Sequence, residues 1–312
     1  MELFRTSTAT YLVDLTPRTW AAAKTDAESI NVSLANKSTG HAALAVIETA
    51  AEQAAVVDQV LALTKASTAA AEDGGGARYI WLGGSDVVTE GSWVWVNGKP
   101  ITYANWGTGS MWQGSGQSSE PDNYMNQDAL AMGLQTWPNG SSLNNGLGNA
   151  GQWNDIRDSN TMPSLIELPA DATRVTMGNR HVALDVDGNA GIAVKIIGAV
   201  FGKATIANGE WVGIGIGLDL LDKGMSYDAL AGLALNAAKL TTNDQIVTTL
   251  WTNVVGSAPT VADKAPFIKM LEDGMTPGAL AHMAAETTLN VANVDLVGLA
   301  QTGVVYTPVA NP

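Results

Sequence analysis

The stretch YIWLGGSDVVTEGSWVWVNGKPITYANW, residues 79–106, decides the fold class predicted for the first half of this chain. It consists of short aromatic and β-branched segments separated by Gly, Asn and Pro, and this pattern predicts strands of a tight antiparallel sheet. Ahead of it, apolar residues recur at helical spacing over residues 17–30 and 49–66, which predicts two helices, the second capped by Thr49. Strands combined with separate helices in this way indicate an α+β fold.

Acidic and amide side chains gather in the poorly patterned region that follows. Residues 107–152 are dominated by Gly, Ser and Asn, and a loop that long inside a domain is usually functional or disordered. The segments SEPDNYMNQD at 119–128 and GQWNDIRD at 151–158 carry several carboxylates and almost no basic residue. Such oxygens repel one another unless a cation lies among them, and calcium takes six to eight oxygen ligands. The pattern therefore suggests a calcium site.

The composition of the chain argues against several classes of binding partner and of chemistry. The chain has 312 residues, a net charge of −14 and 16 Lys and Arg against 30 Asp and Glu, which argues against nucleic acid and anionic membrane surfaces as partners. It has no cysteine and three scattered histidines, which argues against thiol chemistry and zinc. No apolar run approaches the ~20 residues of a membrane span, and the first residues lack the apolar core of a secretory signal. We expect no membrane insertion.

An internal repeat marks the second half. LLDKGMSYDALAGLALNA at 220–237 returns as MLEDGMTPGALAHMAAET at 270–287, a shift of 50 residues. The pattern predicts a helix ending at Gly, followed by a helix capped by Ser226 or Thr276. A period of this size indicates helical units that bury a shared face. We predict two domains, 1–170 and 171–312, the second mainly α-helical and without evident chemistry.

The segment DVDGNAG at 185–191 was compared with the calcium loop of an EF-hand. Asp185, Asp187 and Asn189 have the alternating ligand spacing, but Gly188 falls at the fourth position and no Glu appears at the twelfth. We interpret the segment as a tight turn, with weak calcium binding as the alternative.

Six short motifs between residues 10 and 168 resemble, in their order, the C-type lectin-like domain. After two helices come WLG, D-x-x-x-E-G-x-W, Y-x-N-W, E-P-D, W-N-D and a closing strand, SLIEL. The resemblance implies two helices, short antiparallel strands and a long irregular loop. The usual disulfides of the family are absent, as in many bacterial members, so packing or calcium must hold the loop.

The resemblance also implies metal ligands. The family's principal calcium site corresponds here to Glu120, Asp122, Asn154 and Asp155, and its further ligand to Asp128 or, with one gap, to Gln127. An auxiliary site corresponds to Asp86 and Glu90, with Asn123 and Asp128 completing it; solvated turn acids without a metal are the alternative. For the principal residues, the alternative is an Asn- and Asp-rich turn without a metal.

In that family two neighbouring sugar hydroxyls bind calcium directly. The E-P-N form prefers mannose- or fucose-type sugars and the Q-P-D form galactose-type sugars; this chain has E-P-D, a hybrid. Because carboxylates only accept hydrogen bonds, Glu120 and Asp122 would accept from the sugar, and donors would come from Asn154 or Asn123. We expect fucose or mannose, with galactose left open. Aromatic side chains in the irregular region either stack on the sugar or belong to the core; they are Trp112, Tyr124 and Trp137.

The second half resembles a helical repeat found in large secreted bacterial proteins, including repeats-in-toxin adhesins. This resemblance implies an excised part of a bacterial surface adhesin, located outside the cell, with glycans on host or neighbouring cells as partners. The oligomeric state stays open, with a monomer expected.

Two other functions compete with the lectin. The same fold can bind a protein or peptide through residues 107–152, with calcium structural or absent. Paired carboxylates can also hydrolyse a glycosidic bond. Against an enzyme, no acid lies in an evidently apolar sequence pattern that would raise its pKa, no histidine or nucleophile neighbours the cluster, and metal-bound carboxylates are poor acids.

Overall fold

The chain forms two units, Met1–Ala172 and Thr173–Pro312, in a computed structural model that describes residues 1–109, 120–207 and 211–309. The strands are β1 (Glu2–Arg5), β2 (Thr10–Arg18), β3 (Asn31–Leu34), β4 (Thr39–His41), β5 (Ala43–Leu44), β6 (Ala70–Ala71), β7 (Ala77–Ser85), β8 (Val94–Trp95), β9 (Ala129–Gly133), β10 (Trp153–Ile156), β11 (Met162–Leu168), β12 (Ala172–Met177), β13 (Arg180–Ala183) and β14 (Val304–Tyr306). The helices are α1 (Trp20–Ser29), α2 (Ala50–Leu63), α3 (Asn189–Phe201), α4 (Lys203–Ala207), α5 (Trp211–Asp222), α6 (Tyr227–Ala237), α7 (Asn243–Val255), α8 (Val261–Glu272), α9 (Pro277–Ala285), α10 (Thr288–Asn293) and α11 (Leu296–Thr302).

The predicted α+β class is confirmed, with a sheet and two helices in the first unit and mainly helices in the second. The two predicted helices of the first unit exist as α1 and α2. Thr19 Oγ1 accepts the backbone N–H of Ala22, and Thr49 Oγ1 accepts that of Glu52, so each helix has the side-chain cap that helix starts require.

The main sheet of the first unit brings the two acidic segments to one edge. Its strands run in the order β1-β2-β11-β7-β9-β10, with β5 beside β11 and with β6 and β8 beside β7. β11 and β7 are parallel, whereas β9 pairs antiparallel with both β7 and β10. Since β10 contains the W-N-D segment, Asn154 and Asp155 lie at the edge opposite β1.

Two strand predictions were wrong. The predicted strand over PITYANW is irregular and makes only isolated bridges at Pro100 and Trp106, while residues 93–97 contribute just the two-residue β8. Conversely, β9 lies within the region predicted to be irregular. All five of its residues are buried, so Ala and Gly predominate and apolar and polar residues do not alternate.

Aromatic packing fixes β10 against α2. Trp153 is fully buried, and its Nε1 donates to Gln53 Oε1 at 2.8 Å. Gln53 Nε2 in turn donates to the carbonyl oxygen of Gly151 at 2.7 Å. These two hydrogen bonds satisfy a buried amide and hold the chain immediately before Asn154.

Glu167 on β11 is a half-buried carboxyl away from the acidic segments. Its Oε2 accepts the N–H of Val46 at 3.1 Å. Burial raises its pKa to about 7, the Val46 N–H opposes the rise, and repulsion from Glu52 and Glu48 adds to it. The charged form is therefore unfavourable in the folded protein.

This pKa predicts a pH-dependent effect of Glu167→Gln. The folded-state pKa of Glu167 lies above its ordinary value of 4.5. Lowering the pH from about 7 to 4.5 therefore stabilises the folded protein, and raising the pH back to about 7 removes this stabilisation. Gln carries no charge and can still accept from Val46. We expect the variant to exceed the wild type in unfolding free energy by about 2 kcal/mol more at pH 8 than at pH 5, measured by urea denaturation. An equal difference at both pH values would contradict the assignment.

The second unit contains the sheet β12-β13-β14 and helices α3 to α11 among its described residues. The predicted turns are confirmed: Gly224 and Gly274 have φ of 92° and 106°, where glycine is favoured. Ser226 and Thr276 then cap α6 and α9 by accepting the N–H of Ala229 and Ala279. The segment 185–191 forms a tight turn, in which the Gly188 N–H donates to the Asp185 carbonyl oxygen. Arg174 forms a salt bridge with the Asp185 carboxylate at 2.9 Å.

The repeated helices α6 and α9 pack tightly against each other. A Cβ placed on Gly278 of α9 would lie 2.2 Å from the backbone oxygen of Asp228 on α6. A Cβ on Gly232 of α6 would meet only the Cα of Gly278, at 3.7 Å. The two backbones therefore touch at Gly278.

Alanine substitution at these two glycines should have opposite effects. We expect Gly278→Ala to destabilise the protein by at least about 2 kcal/mol, because a Cβ there forces the helices apart. Gly232→Ala should be neutral or stabilising by up to about 1 kcal/mol, since alanine is the better helix former and has room. Urea denaturation of both variants tests this, and equal losses would contradict the described crossing.

Among the described residues, no helix combines the length and the hydropathy needed to span a bilayer.

Candidate functional site

Asp155 on β10 anchors the segment 120–123. Its side chain is 1% exposed, its Oδ1 accepts the N–H of Asp122 at 3.2 Å and its Oδ2 accepts that of Asn123 at 2.7 Å. The peptide between Glu120 and Pro121 is cis. A carboxylate on a strand thus organises the backbone of a loop that lies far from it in sequence.

This docking brings three carboxyl groups together. Glu120, Asp122 and Asp155 each offer a ligand oxygen, and these oxygens lie within 4.8 Å of one another. Burial raises the pKa of Glu120 to about 8, the Trp137 N–H opposes the rise, and repulsion from Asp122 and Asp155 adds to it. Burial likewise raises the pKa of Asp155 to about 6 against the hydrogen bond from Asn123. The group strongly favours a positive charge or a proton between its members.

The expectation that no acid lies in apolar surroundings was therefore wrong for Glu120. Trp137 covers it and donates from Nε1 to Glu120 Oε1 at 3.0 Å. The Trp137 side chain is 1% exposed, so it belongs to the core and not to a stacking surface. Sequence patterns could not reveal this cover, because 17 residues separate the two side chains. Trp112, the other tryptophan considered for stacking, lies outside the described residues.

An open cleft of about 430 Å³ lies over these carboxyl groups. The residues that line it are Glu72, Asp73, Gly74, Gly75, Glu120, Asp122, Tyr124, Gln127, Trp137, Leu147 and Asn154. Tyr124 is 57% exposed at its rim. The turn 72–75, which joins β6 to β7, forms one wall, and no pattern in the sequence assigned it a role.

Asp73 fixes this wall. Its carboxylate accepts the N–H of Arg157 at 2.8 Å, the side-chain amide of Asn160 at 2.7 Å and that of Gln127 at 3.1 Å. With three donors, Asp73 acts as a structural anchor for the turn. It also orients Gln127, whose Nε2 additionally donates to the Asp73 carbonyl at 3.2 Å.

Two amide oxygens in the cleft are buried without a hydrogen-bond donor. They are Oε1 of Gln127 and Oδ1 of Asn154, in side chains that are 1% and 3% exposed. The Asn154 Nδ2 donates to the Tyr79 hydroxyl at 3.0 Å, which turns its oxygen to the other side. Buried polar atoms normally have partners, so these oxygens indicate a missing positive partner.

The structure separates Gln127 from Asp128, the two alternatives for the further ligand. Gln127 lines the cleft with Glu120, whereas the Asp128 carboxylate accepts from Asn126 at 2.8 Å and repels Asp86. Of the two, Gln127 is therefore the residue that lines the cleft.

The residues predicted for an auxiliary site come together only in part. Asp86 is buried, which raises its pKa, and its charge is also opposed by Glu90 and Asp128. Its Oδ2 accepts the N–H of Gly91 at 2.9 Å, and its Oδ1 has no partner. The Asn123 oxygen instead accepts the N–H of Gln127 at 2.8 Å. Across the described ranges, the compact group of three carboxyls is the one formed by Glu120, Asp122 and Asp155.

The donor set in the cleft fits calcium. Three carboxylates and two unpartnered amide oxygens are hard oxygen donors, the kind that calcium prefers, and no thiolate or imidazole is among them. Five protein oxygens also fall short of the six to eight that calcium takes, which leaves positions for other ligands.

Comparisons with known proteins agree with the sequence resemblance. No protein-family model matches the chain. An α-N-acetylgalactosamine-specific lectin of Patiria pectinifera is 29% identical over 77 residues, covering 25% of this chain and 33% of that protein. A mannose-binding protein of Gallus gallus is 30% identical over 81 residues, covering 26% and 22%. The chain thus spans a third or less of the length of these curated relatives, and the matches support a C-type lectin-like first unit.

Solved structures with a similar arrangement include two lectins. The mouse scavenger receptor C-type lectin carbohydrate-recognition domain is 22% identical, with 55% of this chain and 96% of that chain covered and a TM-score of 0.35. The C-type lectin CEL-I from Cucumaria echinata is 20% identical, with 55% and 96% covered and a TM-score of 0.37.

Proposed function

We propose that the first unit is a calcium-dependent carbohydrate-binding module. The observation that carries the proposal is the pair of buried amide oxygens without donors, on Gln127 and Asn154, beside the three clustered carboxyl groups. Glu120, Asp122, Asp155, Asn154 and Gln127 would hold the ion. A bound calcium ion supplies open coordination positions that two neighbouring sugar hydroxyls can take.

The protein groups would also orient the sugar. Glu120 and Asp122 accept hydrogen bonds from hydroxyl groups, because ionised carboxylates have no proton to donate. One hydrogen of the Asn154 side-chain amide donates to Tyr79 and the second is left for a sugar hydroxyl, so Asn154 and Asn123 both stay as the expected donors. Tyr124 offers an exposed ring at the rim. We keep fucose- or mannose-type sugars as the expected ligands, with galactose-type sugars as the alternative that E-P-D leaves open.

The wider setting follows from the sequence resemblance. We propose that the module belongs to a larger secreted bacterial adhesin, acts at the cell surface as a monomer, and recognises glycans on host or neighbouring cells. The names of the matched proteins, an α-N-acetylgalactosamine-specific lectin and a mannose-binding protein, support carbohydrate as the ligand class. They also support binding over catalysis.

Isothermal titration of L-fucose, mannose and galactose tests the proposal, with calcium and again with excess chelator. We expect at least one sugar to bind with calcium and none with chelator. Calcium binding without any sugar binding would favour the protein-binding alternative for residues 107–152. Release of reducing ends from a fucosylated or mannosylated oligosaccharide would instead favour an enzyme.

A further inference from the structure

The cleft is negatively charged beyond what the calcium site requires. Glu72 and Asp73 on the wall join Glu120 and Asp122 in lining it, and Asp155 lies directly behind. No Lys, Arg or His is among the described lining residues. The cleft keeps a net negative charge even when a divalent cation balances two of these five carboxylates.

Glu72 and Asp122 are the exposed acids in this set. Asp73 is engaged by three donors, and Asp155 by two backbone N–H groups. Glu72 is exposed on the turn that Asp73 anchors, so its charge is presented from a fixed backbone. The nearby Arg157 directs its Nη2 to Met125 Sδ at 3.4 Å and does not line the cleft.

The size of the cleft makes this charge relevant to a sugar. Its volume of about 430 Å³ exceeds what one ion needs and falls in the range of small-ligand sites. The donor-free oxygens of Gln127 and Asn154 show that the cleft is built for a positive partner at its base. Glu72 lines the same cleft as Glu120, Asp122 and these two oxygens, so a sugar coordinated there would lie close to its charge.

We propose that this wall selects the sugar by charge, so that the cleft prefers an ammonium-bearing sugar over the neutral one and rejects uronic or sialic acids. The inference rests on the proposed function. A pair of charges about 8 Å apart in water changes the affinity by about twofold, and salt weakens the effect further. Several such interactions correspond to a preference of about fivefold at low salt.

Three methyl mannosides that differ only at C6 test the proposal on the full chain in saturating calcium. They carry a hydroxymethyl group, an aminomethyl group that is protonated at pH 7.5, or a carboxylate. We expect the amino sugar to bind about fivefold more tightly than the neutral sugar and the uronate about fivefold more weakly at 50 mM NaCl, with both differences nearly lost at 0.5 M. In protein labelled with ¹³C at Glu72, the carboxyl resonance should move with the amino sugar and not with the neutral one.

Two variants locate the effect. Glu72→Gln should reduce the amino-sugar preference to about twofold, because it removes one of the charges that produce it. Glu2→Gln removes an equal charge from β1, at the opposite edge of the sheet, and should leave the preference intact. Binding of the neutral sugar without any charge preference, or equal preferences in wild type and Glu72→Gln, would overturn this inference alone. Absence of binding by the whole mannoside series would overturn this inference, and the proposed function fails with it only if L-fucose and galactose also do not bind in calcium.

Discussion

Asparagine in place of Asp155 is expected to weaken calcium binding by at least about 100-fold and to abolish sugar binding. The change removes one of three clustered carboxylates. It also places an amide NH₂ where two oxygens now accept the N–H groups of Asp122 and Asn123. The side-chain NH₂ of the new asparagine would then face a backbone N–H, and neither group can accept. The loop that carries Glu120 therefore loses one of its hydrogen bonds to β10. Second-sphere changes alone typically cost 10- to 100-fold in metal affinity, and a ligand change should cost more.

Calorimetric titration of calcium and thermal unfolding measure this effect together. At 100 times its Kd, a ligand that binds only the folded state stabilises it by about 2.7 kcal/mol, and Asp155→Asn should lack this gain. Asp58→Asn, an exposed position on α2, is the matched control and should respond to calcium like the wild type. A full calcium response in Asp155→Asn would remove Asp155 from the site.

Replacing Trp137 by alanine should destabilise the protein by about 3–5 kcal/mol, the usual cost of emptying a buried aromatic site. The ring is enclosed by three glycines, and a Cβ on Gly107, Gly133 or Gly148 would lie 2.6, 2.5 or 2.1 Å from it. These glycines have no side chains that could refill the space. The cavity would open directly beneath Glu120, and the midpoint of urea denaturation should fall accordingly.

Trp137→Phe separates packing from the hydrogen bond. Phenylalanine keeps most of the ring but has no N–H for Glu120 Oε1, so the charged form of Glu120 loses its stabilising donor. We expect calcium affinity to fall about tenfold with a smaller loss of stability than in the alanine variant. Trp20→Phe, which removes a similar N–H donated to the Leu82 carbonyl, should leave calcium affinity unchanged. Unaltered affinity in Trp137→Phe would mean that the indole only fills space.

Features of the site that depend on neighbouring residues could be predicted from the sequence, whereas the side chains that pack around the site could not. Asn154 and Asp155 could be named from the short motif W-N-D, and the helix caps at Thr49, Ser226 and Thr276 could be predicted, because these features depend on neighbouring residues. The raised pKa of Glu120 could not be predicted, because its cause is burial, which arises only when the fold brings distant segments around the side chain. Asp73 was missed for the same reason: its partners Gln127, Arg157 and Asn160 are 54 to 87 residues away.

Strand β9 shows a second limit. Its residues, ALAMG, become a strand because β7 and β10 flank them and both faces are covered. Neither strand propensity nor an alternation of apolar and polar residues predicts this strand, because a strand buried on both faces needs neither β-branched residues nor a polar face.

The crossing of α6 and α9 carries an evolutionary consequence. The shift of 50 residues makes Asp228 equivalent to Gly278 and Gly232 equivalent to His282. Gly278 touches Asp228, so this contact joins two equivalent positions. Gly232 lies beside Gly278, and the equivalent pair, His282 and Asp228, is also in contact, at 2.6 Å. Contacts that map onto themselves when the two repeats are exchanged are the mark of an isologous interface. Fusion of the two subunits of an ancestral homodimer would leave this pattern. The two equivalent positions hold different residues, aspartate and glycine, so two copies of either half would not reproduce the contact.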